Sequence, residues 1–468
     1  MPLANGVADA GEAEWRPRLA EDLFTVSLDE DQFLLYAPLQ PSALIANQRA
    51  VGALQQYMAA PVAGACDPLI VLLRDLGMVE PAYEAVPPGV PAGDPEPTHV
   101  TLLLTTACNL RCAYCYASAG ERPPQYMEIE TARRGIQFAI GNSLKRGIGA
   151  VEVTFHAGGE PTLNWAVLTA AAAYAQQETA RAGIGLRLSL ATNGVLTGKQ
   201  IDWVLANLSG VSLSFDGLPE VQDANRHTVH GDATSEQVMH TMRRLDDAGF
   251  NYGIRMTVLA HQVERIEESA DFICGRFHPQ AVQVEPVYLL GRGRDERPAE
   301  GREFVTAFRN ARLRWPMLTF SAARVDVVTA HFCAATRDGF CLSASGNVTT
   351  CVEVFDETAR FADRFFVGRP TPGSAGYEFD AARLSFLRSC AVGGKEHCEG
   401  CFARWNCGGD CLHKVLEMQE GRELRGAGRC HVIREITKDL ILEKIAQSGG
   451  IAWKGGGGSQ PRFVPCGE

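Results

Sequence analysis

The chain has 468 residues, 46% of them hydrophobic and 21% charged, with a formal net charge of −11. That length exceeds one ordinary hydrophobic core and predicts a soluble protein of two or three domains. The acidic balance argues against nucleic acid as a partner, and no apolar run reaches the roughly 18 residues of a membrane span.

In chain order, Met1 to Glu14 is small and acidic and lacks a signal-peptide core, so a cytoplasmic location is expected. Leu23–Val26 and Phe33–Tyr36 are short apolar runs on either side of Asp29-Glu30-Asp31, which reads as a hairpin. Asn47 is placed as an N-cap for a helix carrying Val51, Leu54 and Tyr57. Asp67 and Pro68 form an N-cap and N1 pair for a second helix with Leu69, Leu72, Leu73 and Leu76 on one face, and Gly77 can end it. Strands, then helices, then Met78-Val79 resemble the winged-helix-like precursor-recognition domain of maturases of ribosomal peptides. Residues 1–85 are assigned to that module, which by resemblance adds a leader peptide as a strand to a sheet edge; a merely structural cap is the alternative. Residues 86–97 hold five prolines and two glycines and read as a semi-rigid linker.

From residue 98 to 310, strand-like runs alternate with helical stretches. The predicted strands are Thr98–Leu104, Val151–Phe155, Arg187–Ala191, Gly210–Ser214, Tyr252–Val258 and Ala281–Pro286. This alternation implies parallel βαβ units and an α/β fold.

Directly after the first of these strands, Cys108, Cys112 and Cys115 give C-x3-C-x2-C. Three thiolates suit three irons of a [4Fe–4S] cluster and leave the fourth iron open; a zinc loop is the plain alternative. The motif resembles that of the radical S-adenosylmethionine (radical SAM) enzymes. The resemblance implies a partial (β/α)6 barrel, with SAM on the open iron. It also implies reductive cleavage of SAM to a 5′-deoxyadenosyl radical that takes a hydrogen from the substrate.

A little over 40 residues further on, Gly158-Gly159-Glu160-Pro161 follows the second strand and resembles the family's segment for the SAM amino group. By the same resemblance, Asn193 and Ser214 end strands that line the ribose and methionine pocket. Arg226 fits the SAM carboxylate, with Arg255 as a second candidate. Tyr114 and Leu290, the latter with its neighbour Leu289, fit the adenine. Ordinary barrel packing or a surface ion pair is the alternative for each alone.

Most of the 15 cysteines lie in the last third, and in a cytoplasmic chain that suggests metal. Cys398, Cys401, Cys407 and Cys411 give C-x2-C-x5-C-x3-C, Cys430 follows after 18 residues, and Cys333 and Cys351 lie upstream. This resembles the SPASM domain, assigned to residues 311–445, and implies two auxiliary [4Fe–4S] clusters, three in all. Carried over by position, one auxiliary cluster uses Cys333, Cys351 and Cys411, with Cys341 able to complete it. If Cys341 does not, an open iron remains for a substrate thiolate. The other uses Cys398, Cys401, Cys407 and Cys430, and zinc knuckles are the alternative. Cys66, Cys274 and Cys390 read as free thiols. Glu353 is the candidate acid or base, against a solvated loop carboxylate. Residues 446–468, with Gly455 to Gly458 and Ser459, read as a flexible tail outside the fold, and Cys466 is assigned to no site.

Together these features predict a radical SAM/SPASM maturase of a ribosomally made peptide or protein that forms a thioether or carbon–carbon cross-link. Its partners are a precursor substrate and an electron donor such as flavodoxin or ferredoxin. Formylglycine formation, or a non-catalytic iron–sulfur carrier, are the alternatives.

Overall fold

The computed structural model describes residues 18–60, 67–81, 88–156, 158–418 and 428–455. Cys66, Cys466 and residues 456–468 lie outside them.

The chain opens with an antiparallel meander, β1 (Phe24–Ser27), β2 (Gln32–Ala37) and β3 (Ser42–Asn47). The third strand has no counterpart in the sequence reading, because Pro41 and the Asn47 cap leave little room for a pattern. Two helices follow, α1 (Gln48–Ala59) and α2 (Pro68–Asp75). Asn47 accepts from Ala50 N at 2.9 Å and Asp67 from Leu69 N at 2.8 Å, and Gly77 takes the left-handed φ of +71° just past α2. The sheet is buried on both faces. Leu35, Ala37, Leu44 and Ala46 meet Leu54 and Leu73 of the two helices. Phe24, Leu34, Tyr36 and Ala43 join the core of the main body. Each buried leucine or phenylalanine among these contributes roughly 1.5–3 kcal/mol. Tyr36 Oη donates to Asn406 Oδ1 at 2.9 Å, and Asp22 accepts from Arg404 Nε at 3.1 Å and from the Trp405 indole. The module is therefore fastened to the C-terminal region.

The main body is one 11-stranded sheet. Its centre is six parallel strands in sequential order: β4 (His99–Leu103), β5 (Ala150–His156), β6 (Gly185–Thr192), β7 (Gly210–Ser214), β8 (Tyr252–Val258) and β9 (Val282–Pro286). Along β7, Val211 and Leu213 are buried while Ser212 and Ser214 look into a cavity, which is the period-two pattern that a one-sided strand requires.

The sheet does not stop at the barrel. β10 (Leu318–Thr319) adds parallel to β9, and β11 (Cys341–Leu342) parallel to β4. β12 (Val348–Thr349), β13 (Phe366–Pro370) and β14 (Tyr377–Phe379) continue antiparallel. The expected boundary at residue 310 is corrected: it falls inside the helix Gly301–Arg314, and strands on both sides of it share one sheet. An open barrel leaves two edges with unpaired backbone groups, and the later strands cover both.

The expected tail from residue 446 is also corrected. The helix Gly428–Gln447 runs into it, and β15 (Ala452–Lys454) pairs with β3 in the register Ala452↔Leu44, Trp453↔Ala43, Lys454↔Ser42. Trp453 is buried in the main core, and Ala452 packs on the N-terminal one. A buried indole and a ladder outweigh the freedom that the neighbouring glycines offer. No described helix is long and apolar enough to cross a membrane.

Candidate functional site

The loop after β4 carries Cys108, Cys112 and Cys115. It is shaped by its own backbone: Cys115 N donates to Cys112 O at 3.2 Å and Ser118 N to Cys115 O at 3.1 Å. Two arginines brace it. Arg111 Nη1 donates to Cys108 O at 3.0 Å, and Arg292 Nε to Cys112 O at 3.0 Å. Leu110 N points at Cys108 Sγ at 3.4 Å. Burial pushes the Cys108 thiol up to about 12 and raises Cys112 as well.

Against this loop lies the turn after β5. A Cβ on Gly159 would stand 1.9 Å from Ala107 O, so only glycine permits the approach. Glu160 N donates to Ala107 O at 2.7 Å. The buried Glu160 carboxylate accepts from Thr162 Oγ1 (2.8 Å), Thr192 Oγ1 (2.9 Å) and Asn193 N (2.8 Å). Burial raises its pKa, and these donors oppose that shift. Its side chain thus ties the ends of β5 and β6 together. Asn193 Nδ2 reaches back to Asn109 Oδ1 at 2.8 Å.

The three cysteines share one cavity of about 230 Å³ with Tyr114, Gly158, Gly159, Glu160, Asn193, Ser214, Arg226, Arg255, Leu290 and Glu353. Every cofactor-contact and acid–base candidate read from the sequence except Leu289 lies on its wall. Their roles separate, however. Arg226 is already engaged: Nε lies 3.2 Å from Asp216 Oδ1, and the guanidinium sits 5.2 Å above the Tyr114 ring. Tyr114 Oη donates to the same Asp216. Arg255 projects from β8 into the cavity, and none of its side-chain nitrogens has a hydrogen bond or ion pair among the described residues. Leu290 is buried, and Leu289 is exposed.

Glu353 lies on the cavity wall, not on a solvated loop. His413 Nδ1 is 2.8 Å from Oε2 and Lys414 Nζ 3.7 Å from Oε1. Burial alone would raise its pKa, but Lys414, His413 and Arg255 hold it well below the usual carboxylate range. It is therefore a carboxylate held between two basic side chains. Three further cavity residues escaped the sequence reading: Lys414, Glu285 and Tyr288. Lys414 Nζ sits 3.4 Å above the Tyr288 ring, and Tyr288 Oη donates to Glu285. No local motif marks them, since Lys414 arrives from the far end of the chain.

Cys398, Cys401, Cys407 and Cys430 line a separate pocket of about 60 Å³. Cys411 diverges from Cys407 across Gly408 (φ +68°), Gly409 (φ +82°) and Asp410 (φ +62°), three consecutive left-handed residues. Cys411 and Cys341 are the thiols that bear electrostatically on Cys351. Ligand atoms of Cys351, Glu353 and His413 lie within 4.8 Å of one another. Cys341 is paired in β11, and Cys333 begins the same loop, at the turn Ala334–Thr336. Cys274 and Cys390 are half-buried; Cys274 ends the helix Ile266–Cys274, and Cys390 Sγ donates to Phe386 O at 3.4 Å.

Residues 102–273 match the family model of the Radical SAM superfamily. This chain carries a radical SAM domain. The pre-heme d1 synthase of Dinoroseobacter shibae is 26% identical over 375 residues, 72% of this chain and 86% of that one. The structure of anSMEcpe with bound AdoMet and Kp18Cys peptide superposes with a TM-score of 0.60 at 16% identity, over 75% of this chain and 99% of that one. Streptococcus suis SuiB bound to its precursor peptide SuiA superposes with a TM-score of 0.51 at 11% identity, over 88% of this chain and 99% of that one. Identities this low speak for fold alone, and the shared fold reaches well beyond the barrel.

A radical SAM domain binds SAM on a [4Fe–4S] cluster, and the residues present fit both. The Cys108 and Cys112 thiols, whose burial disfavours charge, are satisfied when iron replaces their protons. The cavity beside them is lined by the Arg255 guanidinium, which also bears electrostatically on Glu353, and by a backbone approach at Gly159 that a side chain would fill.

Proposed function

We propose that the chain is a radical SAM maturase that acts on a ribosomally made peptide or protein and forms an intrapeptide cross-link, thioether or carbon–carbon. The observation that carries this reading is the single cavity shared by the three-cysteine loop, the Gly158–Glu160 turn and a far wall of Glu353 and Lys414. Cys108, Cys112 and Cys115 would hold the cluster, which when bound would supply the electron for reductive cleavage of SAM.

The chain's own residues bind, orient and exclude water. Gly158 and Gly159 bring backbone to the SAM amino group, and Arg255 meets its carboxylate, since Arg226 is spent on Asp216. Ser214 and Asn193 line the ribose side, and Tyr114 and Leu290 close over the adenine. Lys414 and Glu353 present fixed charges to the substrate from the opposite wall. Two auxiliary clusters belong to this reading, one on Cys333, Cys341, Cys351 and Cys411, the other on Cys398, Cys401, Cys407 and Cys430. A flavodoxin or ferredoxin in the cytoplasm delivers electrons. The N-terminal sheet and helices support a peptide substrate, as do the peptide-bound neighbours anSMEcpe and SuiB.

The test is anaerobic turnover of reconstituted protein with dithionite and SAM, following 5′-deoxyadenosine by mass spectrometry. Formation by the wild type and not by Cys112→Ala supports the reading; none from a fully clustered wild type, even with candidate peptides, favours an electron carrier. The relationship to the pre-heme d1 synthase supplies a second reading, a heme-precursor substrate. Enhancement of 5′-deoxyadenosine by such a tetrapyrrole and not by peptides would select it.

A further inference from the structure

Between the reaction cavity and the four-thiol pocket stands one guanidinium. Arg429 precedes Cys430 on the helix Gly428–Gln447. Its side chain is 9% exposed and lies 4.6 Å from the Tyr288 ring and 5.4 Å from that of Phe320. A guanidinium has N–H groups on all three nitrogens, and a buried one must place each. Nε donates to Asp410 Oδ2 at 2.6 Å. Nη1 donates to Tyr288 Oη and lies 3.6 Å from Glu285 Oε2. Nη2 is buried and has no hydrogen-bond partner. Arg429 is also among the residues that line the pocket of Cys398, Cys401, Cys407 and Cys430.

The inference rests on the reading above that these four cysteines hold a [4Fe–4S] cluster. We propose that Arg429 is a positioning residue for that cluster: Nη2 donates a hydrogen bond to one of its sulfurs, while Nε and Nη1 anchor the guanidinium to Asp410 and to Glu285 and Tyr288 of the reaction cavity. Two consequences follow from elementary electrostatics. A cation and an N–H···S bond favour the reduced, more negative cluster and so raise its reduction potential. Glu285 and Tyr288 line the reaction cavity, so whatever displaces them there also reaches the cluster. Asp410 is the last of the three left-handed residues that part Cys407 from Cys411, and Arg429 holds it in place.

The experiment is a redox titration of the reconstituted full chain, monitored by electron paramagnetic resonance, for wild type, Arg429→Met, Arg429→Lys, Tyr288→Phe and Cys430→Ala. Arg429→Met should move the midpoint of one cluster to more negative potential and leave the other signals in place. Arg429→Lys should fall between, and Tyr288→Phe, which keeps Nη2 but removes one anchor of Nη1, should move the midpoint in the same direction by less than Arg429→Met. In protein labelled with ¹⁵N-arginine, pulsed resonance should detect a nitrogen coupled to that cluster, absent from both Arg429 variants. If Arg429→Met fails to hold its iron, the midpoint and the lost ¹⁵N coupling of Arg429→Lys decide. An unmoved midpoint with no ¹⁵N coupling in the wild type overturns the proposal, provided Cys430→Ala loses one cluster. Should Cys430→Ala retain every wild-type signal, the cluster assignment itself is wrong and the role of Arg429 falls with it.

Discussion

The two cysteine sites use the same ligand chemistry in opposite settings. The trio of Cys108, Cys112 and Cys115 opens on a cavity of about 230 Å³ lined by Arg255, Glu353 and Lys414. The quartet of Cys398, Cys401, Cys407 and Cys430 closes on about 60 Å³. On a cubane, three thiols would leave one corner for something other than protein, and the larger cavity opens beside this trio. Four thiols would leave none, and the pocket at the quartet is the smaller one. Ligand count and cavity size point the same way at each site, which is stronger than either alone.

The sharpest way to break this comparison is a reciprocal pair. Cys112→Ala should reduce 5′-deoxyadenosine to background while keeping the iron of the quartet, and Cys407→Ala should lose that iron while still cleaving SAM. Iron content and mass spectrometry on both proteins test it, and if either variant lost both properties the sites would not be separable.

The next effect is on the cavity wall. Asp216→Asn leaves Arg226 as a buried cation without its counter-ion, a loss of about 3–5 kcal/mol. Chemical denaturation should show it, and a double variant that also carries Arg226→Met should recover part of it. Gly159→Ala drives a methyl group toward Ala107 O and should cost about 1–3 kcal/mol. Iron at the trio should fall with it, while the quartet keeps its own.

The smallest effect is a pH dependence. Despite burial, Arg429 and Lys414 hold Glu285 at a pKa of about 2. A carboxyl lowered in the fold contributes stability that is complete above its unfolded value of about 4.3 and lost as pH falls through the folded value. Wild type should therefore lose more stability than Glu285→Gln between those two pH values. Parallel curves for the two proteins would contradict the assignment.

What could be read from the sequence was local. The C-x3-C-x2-C spacing, the caps at Asn47 and Asp67 and the apolar runs of β4 to β9 each sit within a dozen residues, where sterics and period reveal them. What escaped was carried by distant pairings. Lys414 reaches the cavity because the C-terminal region folds over the barrel mouth, and nothing next to Lys414 records that. Arg226 looked like a free ligand because Asp216 lies ten residues away with no motif linking the two. β15 was read as tail because a strand of three residues beside glycines has no signature until its partner is known.

That last strand has a consequence for biosynthesis. β3 emerges from the ribosome early, and its outer row of amides and carbonyls waits unpaired until Ala452–Lys454 are made. Until then the module carries an open, adhesive strand edge, and a sheet begun by β1 to β3 is completed only when β15 is made.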